Sequence, residues 1–252
     1  MSALQAEWIK LRSVRSTTWM LLAMAGLTIA LGVVSCSTSH TEGGVPTDDD
    51  TVMFSLAGVY FAQIAAVAFG VLAICSEYAT GTIRTTFAAN PRRRQVLAAK
   101  TAIVGGLVLG AAALAALASF YIGQAILRTK GYNVDNGYAT PTLGDSETLR
   151  KVAIAAAYPV LLAVLSLGLA EIVRNTATAI SLLLGLLLLP YIVAGLLPEN
   201  LGHAIEEATP MAGIAAQERG APMAPWAGFG VTVAWAVAAM VVALWLIRRR
   251  DA

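Results

Sequence analysis

The sequence predicts an all-α integral membrane protein of six spans. Three observations say so: six long apolar stretches, a regular alternation of charge in the segments between them, and a composition too apolar for water. A bilayer core is about 30 Å thick and a helix rises about 1.5 Å per residue, so each crossing needs roughly 20 apolar residues. Hydrophobic residues make up 58% of the chain and charged residues 13%, with a mean hydropathy of +0.71; soluble domains carry about one quarter charged residues. No repeat or separate soluble domain is visible, so residues 1–252 read as one transmembrane domain.

Residues 1–16 read as an interfacial helix. Leu4, Trp8 and Leu11 recur at i, i+4 and i+7, and Trp8 suits the headgroup layer, where a ring can be half wet. Glu7 and Arg15 intrude near this stripe; a plain basic flank would need only Lys10, Arg12 and Arg15. The spans follow at residues 17–35, 52–75, 96–127, 152–170, 176–197 and 225–247.

The connection at residues 76–95 holds most of the local signal. Ala79, Ile83 and Phe87 fall on one helical face, with Glu77, Gly81 and Arg84 roughly opposite, which predicts a short amphipathic helix along the membrane surface. Asn90 and Pro91 break it, and Arg92, Arg93 and Arg94 mark the return into the third span. At about 2.5 to 3.5 kcal/mol for each Arg at the bilayer centre, the triplet pins this loop in the cytosol. A bland account gives the three arginines affinity for anionic headgroups, but it does not require Glu77, Gly81 and Arg84.

In the third span Gly106 and Gly110 form a G-x-x-x-G face for close packing, within the chain or with a second copy, the first being the expected use. Glu171 and Arg174, at i, i+3 in the tight turn between the fourth and fifth spans, are expected to pair. Residues 38–51 and 128–151 read as polar connectors, with Asp48, Asp49 and Asp50 as a negative patch. The outer segment 198–224 contains a short helix with Leu201, Ala204, Ile205 and Ala208 on its apolar face.

Sidedness follows from charge. With the N-terminus inside, the inner segments carry 12 of the 17 basic residues against four acids, a balance of +8, and the outer segments carry −6. Lys and Arg stay on the cytosolic side during insertion, so both termini are expected there. Cys36 and Cys75 close the first and second spans at opposite faces, too far apart for the roughly 7 Å that a disulfide allows, so both are expected as free thiols. Val33 to Cys36 also resemble a lipoprotein cleavage box, although the apolar run before them exceeds the roughly 7 to 15 residues of a signal core.

Enzyme motifs are missing. The chain has no G-x-x-x-x-G-K-[ST] loop, no H-E-x-x-H pair and no G-x-S-x-G turn. His203 and Glu207 are spaced i, i+4, but two ligands fall short of the three or four of a metal site, and no metal is expected. No charged residue lies in the middle of a span, which argues against ion coupling within this chain. Gln63, Gln124, Tyr158, Ser166 and Ser181 are the polar candidates for a substrate path, and such residues as often bond helix to helix. Pro159 and Pro190 lie inside their spans.

The pattern Glu77-Tyr78-x-x-Gly81-Thr82-Ile83-Arg84, followed by Pro91-Arg92-Arg93 and Lys100, resembles the membrane subunits (permeases) of type-2 exporters among the ATP-binding-cassette (ABC) transporters. The opening Glu7-Trp8-Ile9-Lys10-Leu11-Arg12-Ser13 looks like the surface helix that precedes the first span in those permeases. The layout matches over the whole chain, and these two segments carry the likeness in sequence. The resemblance implies a permease in a bacterial plasma membrane that moves an amphiphile such as an antibiotic, peptide or lipid. It implies no cofactor in this chain, since ATP and Mg would be bound by a separate cytosolic ATPase subunit, and a second permease copy as partner; nothing suggests nucleic acid. Glu77, Thr80, Gly81, Arg84 and Phe87 would form the coupling interface with the ATPase. Glu77 and Arg84 would make its charged contacts, Gly81 would allow close approach, and Ile83 and Phe87 would hold the helix to the membrane domain. Two other classes fit the same layout: a membrane scaffold without cargo, and a five-span lipoprotein or sensor component.

Overall fold

A computed structural model describes residues 3–39, 50–83, 93–138, 140–218 and 221–249. Among them the regular structure is entirely helical: α1 (Ala3–Ser13), α2 (Arg15–Thr38), α3 (Thr51–Leu56), α4 (Val59–Thr80), α5 (Arg93–Thr129), α6 (Ser146–Val173), α7 (Thr176–Ala194), α8 (Glu199–Glu207), α9 (Ala212–Ala215) and α10 (Pro225–Arg249), with a 3-10 turn at Val134–Asn136. Six segments are long and apolar enough to cross a membrane: α2, α3 with α4, α5, α6, α7 and α10. Each overlaps a span expected from sequence. At 37 residues, α5 is about 55 Å long, well beyond the hydrocarbon thickness, whereas α7 ends at Ala194, three residues before the expected Leu197.

Helices α4 and α6 form the centre. Two-thirds (67%) of the most apolar window in each is buried, against 22% in α2, α7 and α10. They pack on each other, with α2, α5, α7 and α10 around them. Lipid is as apolar as leucine, so association here rests on close packing and interhelical hydrogen bonds. Gly70 on α4 supplies such a contact: a Cβ there would collide with Ala163 O and Ser166 Oγ of α6. Gly58, between α3 and α4, lies as closely against Thr28 O of α2.

The expected role of Gly106 and Gly110 is corrected. A Cβ at either would meet nothing within 4 Å, and both residues are exposed. Sequence shows that a face is small in profile; it does not show whether a neighbour lies against it.

Polar bonds tie the helices at the same close contacts, where Gly32 and Gly123 also lie against Ser55. Ser119 Oγ donates to Ser55 O at 2.6 Å and lies 3.2 Å from Thr28 O, while Gln124 Nε2 donates to Thr51 O at 2.9 Å. Both cysteines are buried free thiols, as expected. Cys36 is fully enclosed in α2, with its Sγ 3.7 Å from Ser55 Oγ. Of the expected acidic patch, Asp48 and Asp49 lie outside the described residues. Asp50 caps α3 by accepting from Met53 N at 3.1 Å, and pairs with the buried Lys151 at 2.5 Å. Its neighbourhood is therefore a structured joint between α3 and α6, where sequence suggested a polar connector. Asp145 caps α6, accepting from Thr148 N at 3.0 Å and Thr148 Oγ1 at 2.9 Å, and these bonds hold its carboxyl below the ordinary value.

Candidate functional site: a buried charge cluster at the basic end

Helix α4 runs past the expected end of the second span and stops at Thr80, because Gly81 takes the left-handed conformation (φ 71°) and closes the helix with its N–H on Tyr78 O. Glycine has no Cβ to clash there and is the usual residue at such a cap. A Cβ at Gly81 would meet no neighbour, so its role here is conformational. This corrects the single amphipathic helix expected across Glu77 to Phe87. The apolar spacing of Ala79, Ile83 and Phe87 spans a helix end, and Arg84 and Phe87 lie outside the described residues.

One turn before the cap, Glu77 points inward and is 3% exposed. Lys100 of α5, 2% exposed, contacts Glu77 Oε1 with its Nζ and lies 2.6 Å from Glu7 Oε2 of α1. Lys10 of α1 reaches Glu77 Oε1 at 2.6 Å from the rim of the cluster. Two carboxylates and two ammonium groups balance to zero. Such a group survives burial only as a paired set, since removing one partner strands a desolvated charge. The resemblance implied a contact between Glu77 and a partner protein; within this chain its carboxylate is enclosed, and it joins α1, α4 and α5.

The adjacent Tyr78 ties α4 to the other side. Its hydroxyl donates to Glu171 Oε1 of α6 at 2.5 Å, and the Arg174 guanidinium lies 5.0 Å from its ring centroid. Arg174 lies 3.5 Å from Glu171, the pairing expected from sequence, and closes α6 at φ 56°. Glu77 and Tyr78 therefore fasten the last turn of α4 to elements on two sides. In the sequence Tyr78 stands in the pattern with Glu77 without a role of its own; a tyrosine beside a buried acid, with a Glu–Arg pair at residues 171 and 174, is the signal for one.

The remaining expected residues divide plainly. Thr80 and Gly81 are exposed; Thr80 Oγ1 bonds Ser76 O at 2.8 Å and Thr82 Oγ1 at 2.9 Å. Trp8, Arg12, Arg15 and Arg94 are exposed, Arg93 is half-buried, and Arg92 lies outside the described residues. Of the path candidates, Ser181 is exposed, and the other four are buried and bonded within the chain. Tyr158 Oη donates to Gln63 Oε1 at 2.7 Å, Gln63 Nε2 to Tyr60 O at 2.7 Å, and Ser166 Oγ to Ala163 O at 2.9 Å. Gln124, which bonds α3, also borders a cleft, of about 200 Å³, beside Tyr121 and Arg128. Tyr158, Gln63 and Gln124 thus bond one helix to another, whereas Ser166 bonds within α6.

A second cleft, of about 210 Å³, opens at the opposite end between α7, α8 and residues 212–218 and 221–223. Among the described residues no group of three or more His, Cys, Asp and Glu could hold a metal ion. No protein-family model matches the chain, and no curated protein does.

Proposed function

We propose that this chain is the membrane-spanning permease subunit of an ATP-driven exporter of the ABC type-2 class, working with a separate cytosolic ATPase and a second permease copy to move an amphiphile across a bacterial plasma membrane. One observation carries the reading. The two stretches that hold the resemblance, Glu7–Ser13 and Glu77–Arg84, are some 70 residues apart in the chain, yet they meet in space, Lys10 on Glu77 and Lys100 between Glu7 and Glu77. A pattern that had arisen by chance in two segments would have no reason to assemble into one buried site.

In this reading, the segment after Gly81 takes the push of the ATPase, with the exposed Thr80–Gly81 corner beside it. Gly81 lets that segment change direction against α4, and the Glu77 cluster makes α1 and α5 move with α4. Tyr78, Glu171 and Arg174 extend the same motion to α6. The chain carries no phosphate loop, so the nucleotide chemistry belongs to the partner.

The test is affinity purification from native membranes in a mild detergent, scored by co-purified ATPase activity, for the intact chain and for Arg84→Glu. Activity with the intact chain and a loss of most of it in Arg84→Glu is the expected result. With neither chain carrying ATPase activity, while a known permease treated in parallel does, the exporter reading gives way to the scaffold.

A further inference from the structure

The cleft at the end opposite the charge cluster has a consistent chemistry. Glu206 and Glu207 of α8 and Glu218 of the following segment line it, with the Tyr191 ring from α7 and a wall of Ala212, Ala216 and Met223. Among the described residues no Lys or Arg lines it. Glu218 is held in place by the Tyr60 hydroxyl, which donates to it from α4. His203 also lines the cleft, 3.9 Å from Glu206.

A concave site with this balance attracts cations, and the ligand class can be narrowed. A metal ion is disfavoured, because the carboxylates do not converge as a ligand set. At about 210 Å³ the cleft is smaller than the roughly 300 to 1,000 Å³ of sites that enclose drug-sized molecules. It has room for a head group and not for a whole amphiphile. An alkylated ammonium suits each surface present: carboxylates for its charge, the Tyr191 face for a cation–π contact, and the Ala and Met wall for its methyl groups. Beside the cleft, Ile192, Leu196 and Leu201 are exposed at 62%, 82% and 52%, an apolar surface on which an attached chain would lie.

We propose that this cleft binds the cationic ammonium head of an amphiphile, with the tail left along the apolar surface of α7 and α8. The proposal stands on the cleft alone, and its test needs no ATPase, so its failure would leave the exporter reading untouched. The head could come from a free amphiphile or from a choline lipid.

The test is equilibrium dialysis of radiolabelled decyltrimethylammonium against the full chain in nanodiscs, with empty nanodiscs subtracted, in phosphatidylglycerol and in phosphatidylcholine. Saturable binding of one probe per chain is expected. It should weaken at least tenfold in the Glu206→Gln, Glu207→Gln, Glu218→Gln triple variant and several-fold in Tyr191→Leu, and remain unchanged in Asp135→Asn, an acid outside the cleft. Equal affinity in the two lipids points to a free amphiphile as the occupant; weaker binding in phosphatidylcholine points to the lipid head. Binding no greater than to empty discs, an unchanged affinity in a triple variant with wild-type thermal stability, or equal binding of an uncharged decyl glucoside would overturn the proposal.

Discussion

Lys100 holds the basic end together, because its ammonium is 3% exposed and serves two carboxylates from two other helices. Lys100→Met would strand Glu7 in a desolvated site and leave Glu77 to the rim ammonium of Lys10. It is expected to cost about 3 to 5 kcal/mol, read as a lowered unfolding midpoint in detergent. Lys100→Met combined with Glu77→Met should cost clearly less than the two single changes added together, since the two residues share one interaction; strict additivity would deny the coupling. Gly81→Ala places a Cβ in the left-handed region and is expected to cost about 1 to 2 kcal/mol, although the space around it is open. The importance of Glu77, Gly81 and Lys100 was legible in the sequence, but the direction in which Glu77 points was not. Its partners come from residues 7, 10 and 100, and helical spacing within one segment says nothing about groups brought in from others.

At the scale of the element, the helices pack by shape more than by composition. Gly70→Val should be strongly destabilising, because the new side chain would enter the α6 backbone at Ala163, while Gly106→Val should leave stability within about 0.5 kcal/mol of wild type. Parallel thermal melts of the two variants check this, and the reverse order would contradict the packing. The Asp145 cap gives a pH-dependent prediction. A carboxyl depressed in the folded state contributes fully above its unfolded value of about 3.9 and loses that contribution as pH falls through the folded value. Below pH 4, α6 should fray at Thr148, seen as faster amide exchange there, and Asp145→Asn should flatten the change. The six spans were readable because length and hydropathy alone decide them. The break at Ala57–Gly58 and the open Gly106 face were not, since each depends on which helix lies alongside.

Across the whole molecule, the alternation of charge predicts that the two ends lie on opposite sides of the membrane. With Cys36 and Cys75 replaced by Ser, both being buried and unpaired, single cysteines at the exposed Arg12 and Val134 should react with a membrane-impermeant maleimide from opposite sides. Reaction of both from one side would contradict the topology. The sequence leaves open the cargo of the proposed exporter, because the polar residues inside the bundle bond within and between its helices and the cleft at the end opposite the charge cluster is assembled from α7, α8 and the residues after them. The most direct test of the central claim is photo-crosslinking in native membranes from benzoylphenylalanine placed at the exposed Thr80, with Val134 at the opposite end as the control. The account predicts an adduct from position 80 alone, with a cytosolic protein that is retained on immobilised ATP and released by free nucleotide. Absence of that adduct at position 80, or its equal yield at position 134, would contradict a permease driven by a separate ATPase.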